Sequence, residues 1–569
     1  MGRGDSKGVQ ETRRSRSNFE PGTTRWAVRR SQWRALGFTD AEMERPKIAV
    51  VNSSSQLSVC FSHLDELSNE VQQAVREAGG LPFEIRTVAP SDFITNAGRQ
   101  GRYLLPSRDL IVNDIEVAVE GALLDGMVCL ASCDKTAPAH LMAAGRLNVP
   151  TVVVIGGYQG YGTCGSEPCD IEDVFESVGG VATGQISLEQ LKAMTDVAVD
   201  GPGVCSGLGT ANTMHIMCEA LGMAMPGSAP VRAGSARMSD TARQAGARIV
   251  AMVEEDLRPR ELLTSSAFEN AVMVLLAISG SINAVRHLQG VAVEAEVDVK
   301  IHELLEKYAD DIPLLCRIRP AGPGRVHQLE QHGGARAVMK RLAAKLHTEA
   351  LTVTGMTVGR VLEELEVAPE DGFVKTVENP AAPGPALAIL RGNLAPEGAI
   401  VKMGAFSTDE ARFSGRAGVF GSQQEALEAL ERGSIRAGDV LVLRGLGPKG
   451  GPGVASASWF TAALSGTELS GKVAIVTDGQ LSGLNKGLAV GQVMPEAAEG
   501  GPLALVQDGD AIVIDFDSRS LDLGVSPEEL QRRKDEWTPP EPTPERGWLS
   551  IYQQVVQTMS MGAVLGPRD

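Results

Sequence analysis

Three residues able to do chemistry stand side by side in this chain: Cys133, Asp134 and Lys135. They follow an apolar run, residues 127–131, and precede Pro138 in a segment with helical character. Short apolar runs bounded by polar residues are typical of buried strands. Ligands of open α/β sheets bind beyond the carboxyl ends of the strands, so a thiol, a carboxylate and an amine here could form a metal or active site. A solvated strand-to-helix loop is the alternative at this stage, because short motif matches carry false positives.

Two further polar loops follow predicted strands in the same region. Residues 46–52 predict a strand that leads to Cys60, residues 83–88 predict one that leads to Asp92, and residues 150–157 predict a fourth strand. The strands alternate with segments of helical periodicity, which predicts a parallel, doubly wound sheet with right-handed crossovers. On such a sheet these strand-end loops share one edge, so their side chains can converge although they are distant in sequence.

A fourth loop of interest is the glycine-rich turn of residues 201–207, which contains Cys205 and precedes a predicted helix. A helix N-terminus stabilises a thiolate through its dipole and free N–H groups, so we expect a lowered pKa for Cys205. Beyond this turn, helical periodicity dominates up to residue 365. The predicted helices there are residues 242–257, 268–278, 284–295, 327–346 and 358–365.

The C-terminal part of the chain has a different character. Short apolar segments separated by turns predict a smaller β-rich domain, barrel-like or sandwich-like. Its predicted strands are residues 386–390, 399–403, 440–443, 473–476, 503–506 and 511–514. We therefore predict an α/β protein with an N-terminal arm (1–32), an α/β domain (33–367), a linker rich in Pro and Gly (368–385) and a β-barrel-like domain (386–569).

Composition limits the class of protein. With 569 residues and 43% hydrophobic content, the chain is long enough for two or more globular domains. A net charge of -18 and only 4% aromatic residues argue against nucleic acid and anionic membranes as partners. The sequence shows no apolar run long enough to span a membrane and no apolar secretory segment at its N-terminus. We therefore expect a cytoplasmic protein that acts on a small molecule.

The eight cysteines are too widely spread for a secreted disulfide framework, which favours a reducing compartment. Cys60, Cys133 and Cys205 lie in polar or glycine-rich loops, where three thiolates can bind iron or zinc. Their spacing matches no CxxC zinc motif, so spacing does not choose the metal. The sequence leaves Cys164 and Cys169 unassigned. Three further cysteines lie in apolar segments and are expected in the core: Cys129, Cys218 and Cys316.

Long motifs give the chain a resemblance to a known family. From about residue 33 to the C-terminus it resembles the iron-sulfur dehydratases, which include dihydroxy-acid dehydratase, phosphogluconate dehydratase and several sugar-acid dehydratases. The motifs are VNSSSQLSVCFSH (51–63), LPSRDLIVNDIE (105–116), SCDKTAPAHLMAA (132–144), CSGLGTANTM (205–214), GPKGGPG (447–453), TDGQLSG (477–483) and PEAAEGGPLALVQDGD (495–510).

The resemblance implies cofactors and roles for the candidate residues. It implies a 2Fe-2S cluster with one open iron site, bound by Cys60, Cys133 and Cys205. It implies Mg²⁺ bound by Asp92, Asp134 and a carbamylated Lys135. Ser482 matches the serine that acts as base, so Ser482 and Lys135 are the implied catalytic residues. A homodimer or homotetramer is implied as well.

The implied reaction is the dehydration of a 2,3-dihydroxy carboxylic acid, either a branched-chain acid or a sugar acid, to a 2-keto acid. The C2 proton is poorly acidic beside a carboxylate, and a hard cation can stabilise the negative charge that develops when the proton leaves. Hydroxide is a poor leaving group, which an open iron site assists as a Lewis acid. The alternative is a diverged, non-catalytic or regulatory member of the family that still binds a cluster.

Several positions depart from the family pattern. Counting without a gap from Gly453, Ser456 stands where the family has a glutamate that completes the magnesium site. Gln480 replaces the arginine of Asp-Gly-Arg-Phe-Ser-Gly, and Gln492 replaces the histidine of His-Val-Ser-Pro-Glu. Residues 156–159 read GGYQ instead of GGPM. These changes surround the expected pocket, so we expect a retuned metal site and a different substrate.

Overall fold

The structure is a computed structural model that describes residues 15–182, 184–365, 372–405, 411–483, 487–541 and 546–567. Residues 1–14 of the predicted N-terminal arm, 366–367 at the end of the predicted α/β domain and 368–371 of the predicted linker lie outside the described residues. None of the helices within these ranges is long and apolar enough to cross a membrane.

The secondary structure elements follow in chain order. The helices are α1 (Thr24–Ala35), α2 (Asp40–Met43), α3 (Leu64–Glu77), α4 (Asp92–Thr95), α5 (Leu104–Ala122), α6 (Thr136–Leu147), α7 (Ile171–Ala182), α8 (Leu188–Val197), α9 (Thr210–Ala220), α10 (Ala236–Glu255), α11 (Pro259–Leu262), α12 (Ser265–Ala277), α13 (Asn283–Glu294), α14 (Ile301–Tyr308), α15 (Val326–Gln331), α16 (Gly334–Arg341), α17 (Val358–Glu363), α18 (Gln423–Glu431), α19 (Ser458–Ser465), α20 (Pro527–Glu536) and α21 (Trp548–Val555). The strands are β1 (Lys47–Asn52), β2 (Leu81–Arg86), β3 (Gly126–Ala131), β4 (Thr151–Ile155), β5 (Gly162–Cys164), β6 (Glu167–Cys169), β7 (Leu387–Leu390), β8 (Gly398–Lys402), β9 (Arg412–Phe420), β10 (Val440–Leu443), β11 (Ala474–Thr477), β12 (Ala489–Met494), β13 (Ala511–Asp515) and β14 (Ser520–Leu523).

The N-terminal domain is built on a four-stranded parallel sheet with the order β2-β1-β3-β4. The chain moves from β1 to β2 in one direction and from β2 to β3 in the other, so right-handed crossovers place α3 and α5 on opposite faces. Strands β1, β3 and β4 are buried along their whole length, as strands covered on both faces are. The predicted doubly wound sheet is confirmed.

The C-terminal domain is an eight-stranded sheet with the order β14-β13-β9-β10-β11-β12-β8-β7. Its centre, β9 to β12, is parallel, and antiparallel strands flank it on both sides. The two edge strands meet, because the Arg391 N–H donates to the Arg519 carbonyl at 2.9 Å and the Leu521 N–H donates to the Arg391 carbonyl at 2.9 Å. The sheet is therefore nearly closed, which confirms the predicted barrel-like domain.

Some predicted elements differ from the structure. Residues 503–506 were predicted as a strand, but the chain forms a 3-10 helix at Pro502–Leu505, where Pro502 lacks the N–H that a strand ladder needs. Strands β9, β12 and β14 carry glycine or charged residues and were not predicted. The predicted helix at 327–346 is two helices, α15 and α16, because Gly333 between them has a left-handed φ of 97°.

Helices α3 and α10 pack closely enough to make one glycine essential for their contact. A Cβ added at Gly246 of α10 would lie 2.7 Å from the Val71 carbonyl oxygen and 2.8 Å from the Ala74 Cβ. The two helices cannot separate without uncovering the buried apolar side of α3. Gly121 in α5 is the opposite case, since a Cβ there would meet nothing within 4 Å.

We expect Gly246→Ala to destabilise the protein by about 1–3 kcal/mol, because the added methyl group forces the helix backbones apart. Gly121→Ala is the matched control and should be neutral or stabilising by up to about 1 kcal/mol, since alanine has the higher helix propensity. Differential scanning calorimetry measures both changes as shifts in melting temperature. Equal shifts for the two variants would contradict the packing described here.

Candidate functional site

The loops after β1 and β3 bring two of the predicted cluster cysteines into contact. The Cys133 thiol donates a hydrogen bond to the Cys60 sulfur, which lowers the pKa of Cys60 and raises that of Cys133. The Ser132 hydroxyl donates to the Cys60 carbonyl and ties the two loops together. The loop after β2 joins them, because the Asp92 N–H donates to the Cys133 sulfur at 3.5 Å. Residues from three strand ends therefore converge at one edge of the sheet, as predicted.

Cys205 lies near this pair but differs from the sequence-based expectation. Its pKa is raised well above the ordinary value, first by desolvation and then by the negative charge of Glu172, with smaller effects from Asp134 and Cys60. The predicted lowering is wrong because α9 begins only at Thr210, and a helix dipole acts mainly within the first turn. Within the described ranges, no group of three or more His, Cys, Asp or Glu side chains is close enough together to hold a metal ion.

Lys135 is enclosed between two carboxylates. It is fully buried, and its Nζ lies 3.7 Å from Asp92 Oδ1 and 3.6 Å from Asp134 Oδ2. Neither Lys135 Nζ nor Asp92 Oδ1 has a hydrogen-bond partner among the described residues. Desolvation, followed by the charge of Asp134, raises the pKa of Asp92 to about 7, while Lys135 acts in the opposite direction. A buried ionisable group that makes no hydrogen bond is energetically costly, so a further partner at Lys135 and Asp92 would stabilise this arrangement.

The residues present fit the groups that the family resemblance implies. The unpartnered Asp92 oxygen and the neighbouring Asp134 carboxylate are the hard oxygen ligands that Mg²⁺ prefers. A buried lysine amine at the same point can supply two more oxygens once it carries a carbamate. The thiols of Cys60, Cys133 and Cys205 are soft ligands suited to iron, and all three lie close enough to Asp134 for its charge to act on the pKa of each.

The C-terminal domain contributes the loop after β11, which contains Ser482. The Asn283 amide at the start of α13 donates to the Leu481 carbonyl at 2.9 Å. A Cβ added at Gly483 would lie 2.8 Å from Ser281 Oγ and 2.9 Å from the Thr210 nitrogen, so only glycine allows this close approach. The loop thus sits against the N-termini of α9, which follows the Cys205 loop, and α13. Residues 484–486 lie outside the described residues.

Three of the departures from the family pattern, Ser456, Gln480 and Gln492, lie on buried surface that faces the N-terminal domain. A Cβ added at Gly101, shortly after Asp92, would lie 3.2 Å from the Ser456 Cβ. Ser456 and Gln480 are paired through the backbone, since the Gln480 N–H donates to the Ala455 carbonyl at 2.9 Å. The Gln492 amide donates to the Ile282 carbonyl at 2.8 Å, just before α13.

The structure adds two ionisable residues that the sequence reading missed. Glu172 is buried beside Cys205, and desolvation followed by the charge of Asp170 raises its pKa to about 8. Lys402 is buried at the end of β8, where desolvation lowers its pKa to about 7 and its Nζ donates to the Gly483 carbonyl at 3.5 Å. A charged residue at the end of the apolar β8 run was a signal for Lys402. Glu172 lies in an ordinary acidic helix start, which carries no such signal.

The remaining cysteines have structural positions. Cys164 and Cys169, which the sequence left unassigned, form a disulfide across the β5–β6 hairpin. The other three are buried, as expected: Cys129, Cys218 and Cys316.

Known proteins resemble this chain over almost its whole length. Family models described as the N-terminal and C-terminal parts of dihydroxy-acid/6-phosphogluconate dehydratase match residues 45–361 and 372–563. Proteins named dihydroxy-acid dehydratase from Methanococcoides burtonii, Sulfurisphaera tokodaii and Pyrococcus furiosus are 41%, 41% and 42% identical over 550, 558 and 541 residues. The matches cover 96%, 97% and 95% of this chain and 99%, 99% and 98% of those proteins.

We expect Asp92→Asn to weaken Mg²⁺ binding by at least about tenfold, because it removes an anionic ligand beside Lys135. Titration calorimetry with MgCl₂ measures the affinity. Asp125→Asn is the control, since Asp125 is also buried but accepts the Ser17 and Lys47 N–H groups at the opposite edge of the sheet. Unchanged Mg²⁺ affinity in Asp92→Asn would remove Asp92 from the metal site.

Proposed function

Since the chain belongs to the dihydroxy-acid/6-phosphogluconate dehydratase family, we propose that it is a hydro-lyase that converts a 2,3-dihydroxy carboxylic acid to a 2-keto acid with loss of water. The observation that carries this proposal is the buried group of Asp92, Asp134 and Lys135 beside the Cys60–Cys133 pair. A carboxylate-lined cation site next to soft thiol ligands matches what a dehydration of this kind requires.

We assign a 2Fe-2S cluster to Cys60, Cys133 and Cys205, and Mg²⁺ to Asp92, Asp134 and carbamylated Lys135. When bound, these groups would supply Lewis acidity toward the 3-hydroxyl and toward the carboxylate with its 2-hydroxyl. The Cys205 thiol must lose its proton to bind iron, and it does so against its raised pKa. The protein supplies the burial that keeps water away from these charges.

Ser482, deprotonated to its alkoxide, takes the proton from C2 as the base. Hydroxide leaves C3, and together with that proton it accounts for the water lost. The resulting enol takes up a proton at C3 and releases the proton of its 2-hydroxyl, which gives the 2-keto acid with a net loss of one water. The hydrogen bond from Asn283 to Leu481 holds the loop in position. We propose that the Lys402 amine, which donates to the carbonyl of the neighbouring Gly483, stabilises the serine alkoxide. We further propose that the protein works in the cytoplasm as a homodimer or homotetramer.

A second candidate function is a cluster-binding member without dehydratase activity. It is favoured by Ser456, whose hydroxyl accepts the Ser458 N–H at 3.1 Å and is a weaker Mg²⁺ ligand than a carboxylate. A panel of dihydroxy acids, assayed for 2-keto acid with anaerobically purified protein, separates the two functions. A cluster without turnover on the whole panel would favour the second.

We expect each of Cys60→Ser, Cys133→Ser and Cys205→Ser to lower the iron and sulfide content by at least half, because each removes one thiolate ligand. Iron and sulfide analysis with visible absorption after anaerobic reconstitution measures the loss. Cys316→Ala is the control, since Cys316 is buried in an apolar region. If the three variants kept the iron of the wild-type protein, the cluster assignment would fail.

Ser482→Ala should lower kcat by at least about 100-fold while leaving the cluster absorption unchanged, because it removes a general base and no ligand. The assay follows formation of the 2-keto acid. Ser434→Ala is the control, since that hydroxyl donates to the Ala429 carbonyl in a turn after α18, remote from the site. Wild-type turnover in Ser482→Ala would assign the base to another residue.

A further inference from the structure

Arg286 on α13 is a buried cation that forms no ion pair with any residue that the structure describes. Its side chain is fully excluded from solvent, and Nη2 donates to Gln480 Oε1 at 3.3 Å. Nε and Nη1 have no hydrogen-bond partner among the described residues. The nearest carboxylate that acts on it, Asp109, is already paired with Arg108 at 3.0 Å. Desolvation lowers the pKa of Arg286 only to about 10, so the guanidinium stays charged at neutral pH.

The surroundings of Arg286 also offer hydrogen-bond donors that nothing accepts. Tyr552 Oη, Arg108 Nε and His287 Nε2 are buried and lack partners within the part of the chain that the structure describes. The charges of Arg108 and Lys135 both act on His287, so the cluster carries an excess of positive charge and extends toward Lys135. A buried excess of cations and donors is unfavourable unless an anion enters and accepts their hydrogen bonds.

The position of Arg286 links it to the reacting region. It lies one turn along α13 from Asn283, which holds the Leu481 carbonyl beside Ser482. Its contact Gln480 lies two residues before Ser482 in the same loop. Arg286 is therefore positioned between the Lys135 side and the Ser482 side of the site.

We propose that Arg286, with Gln480 beside it, binds an anionic group of the substrate through its two unpartnered N–H groups. This inference rests on the proposed function, which makes the substrate a hydroxy carboxylic acid. The anion is either the carboxylate next to the reacting carbons or a second anion at the far end of the molecule. Arginine suits both, because its planar guanidinium donates two parallel hydrogen bonds to a carboxylate or a phosphate.

Binding is measured by titration calorimetry in the Ser482→Ala background, which prevents turnover. The two probes are 2,3-dihydroxyisovalerate, with one carboxylate, and 6-phosphogluconate, with a carboxylate and a phosphate. We expect Arg286→Met to weaken binding at least about tenfold, and Arg286→Lys to weaken it less because the charge remains. Loss for both probes assigns Arg286 to the reacting carboxylate, and loss for 6-phosphogluconate alone assigns it to a second anion. Unchanged binding of both probes overturns the inference, as does a protein that binds neither.

A stability measurement separates substrate binding from a structural role. Without ligand, Arg286→Met should not lower the melting temperature, because no ion pair is lost and a buried charge is removed. Arg146→Met is the matched control: Arg146 is paired with Glu294 at 2.6 Å and Glu116 at 2.7 Å, about 15 Å along α6 from Lys135. It should lower the melting temperature and keep the affinity for both probes. A lower melting temperature together with unchanged affinity for both probes in Arg286→Met would assign Arg286 a structural role and overturn the proposal.

The outcomes also separate this inference from the proposed function. If Arg286→Met weakens probe binding but the wild-type protein turns over no dihydroxy acid, the proposed function is refuted and the anion site stands. Turnover by the wild-type protein, combined with unchanged probe binding and unchanged KM in Arg286→Met, would keep the function and refute the anion site.

Discussion

The burial of Lys135 between Asp92 and Asp134 is the constraint on which the rest of the site depends. At the carboxyl edge of the parallel sheet, the two carboxylates lie 3.7 Å and 3.6 Å from the Lys135 amine. Removing such groups from water costs several kcal/mol per ion, and the missing hydrogen bonds of Lys135 and Asp92 leave that cost uncompensated. The fold tolerates the cost because β1 and β3 are rigid, fully buried strands. A bound cation and its ligands would recover it.

The same constraint explains why the two domains are packed so closely. A reaction that depends on charged groups benefits from a cover that excludes water, because electrostatic interactions strengthen as the local dielectric constant falls. The loop of Ser482 in the barrel-like domain provides this cover. The Asn283 amide holds the loop through the Leu481 carbonyl, and the close approach is possible because Gly483 has no side chain. One hydrophobic core runs through both domains near this contact, including Leu481 and Ile282, so the cover is part of the folded structure and not a loosely attached lid.

Negative and positive charges lie on opposite sides of the site. On one side, Asp92, Asp134 and Glu172 concentrate negative charge near the thiols. Desolvation, followed by the charges of Glu172 and Asp134, raises the pKa of Cys205. On the other, Arg286 and Lys402 are buried cations next to the Ser482 loop. A substrate that bridges the two sides would meet the carboxylates of the proposed magnesium site at one end and guanidinium donors at the other. Such an arrangement orients an asymmetric hydroxy acid before any bond is broken.

Much of this could be predicted from the residues alone. Apolar runs of strand length, alternating with helical periodicity, predicted the parallel sheet, and the residues after each run predicted where Cys60, Asp92 and Cys133 to Lys135 would meet. These predictions succeed because the carboxyl ends of parallel strands share one edge, whatever the details of packing. Tertiary structure decided the rest. Only packing across two domains shows that Arg286, in a helix 194 residues before Gln480, contacts it without a counter-ion, and that Cys205 is shielded among carboxylates instead of helped by a helix dipole. Which side chains are buried, and which groups pair with them, depends on how several segments fold together. No local pattern in the sequence predicts either.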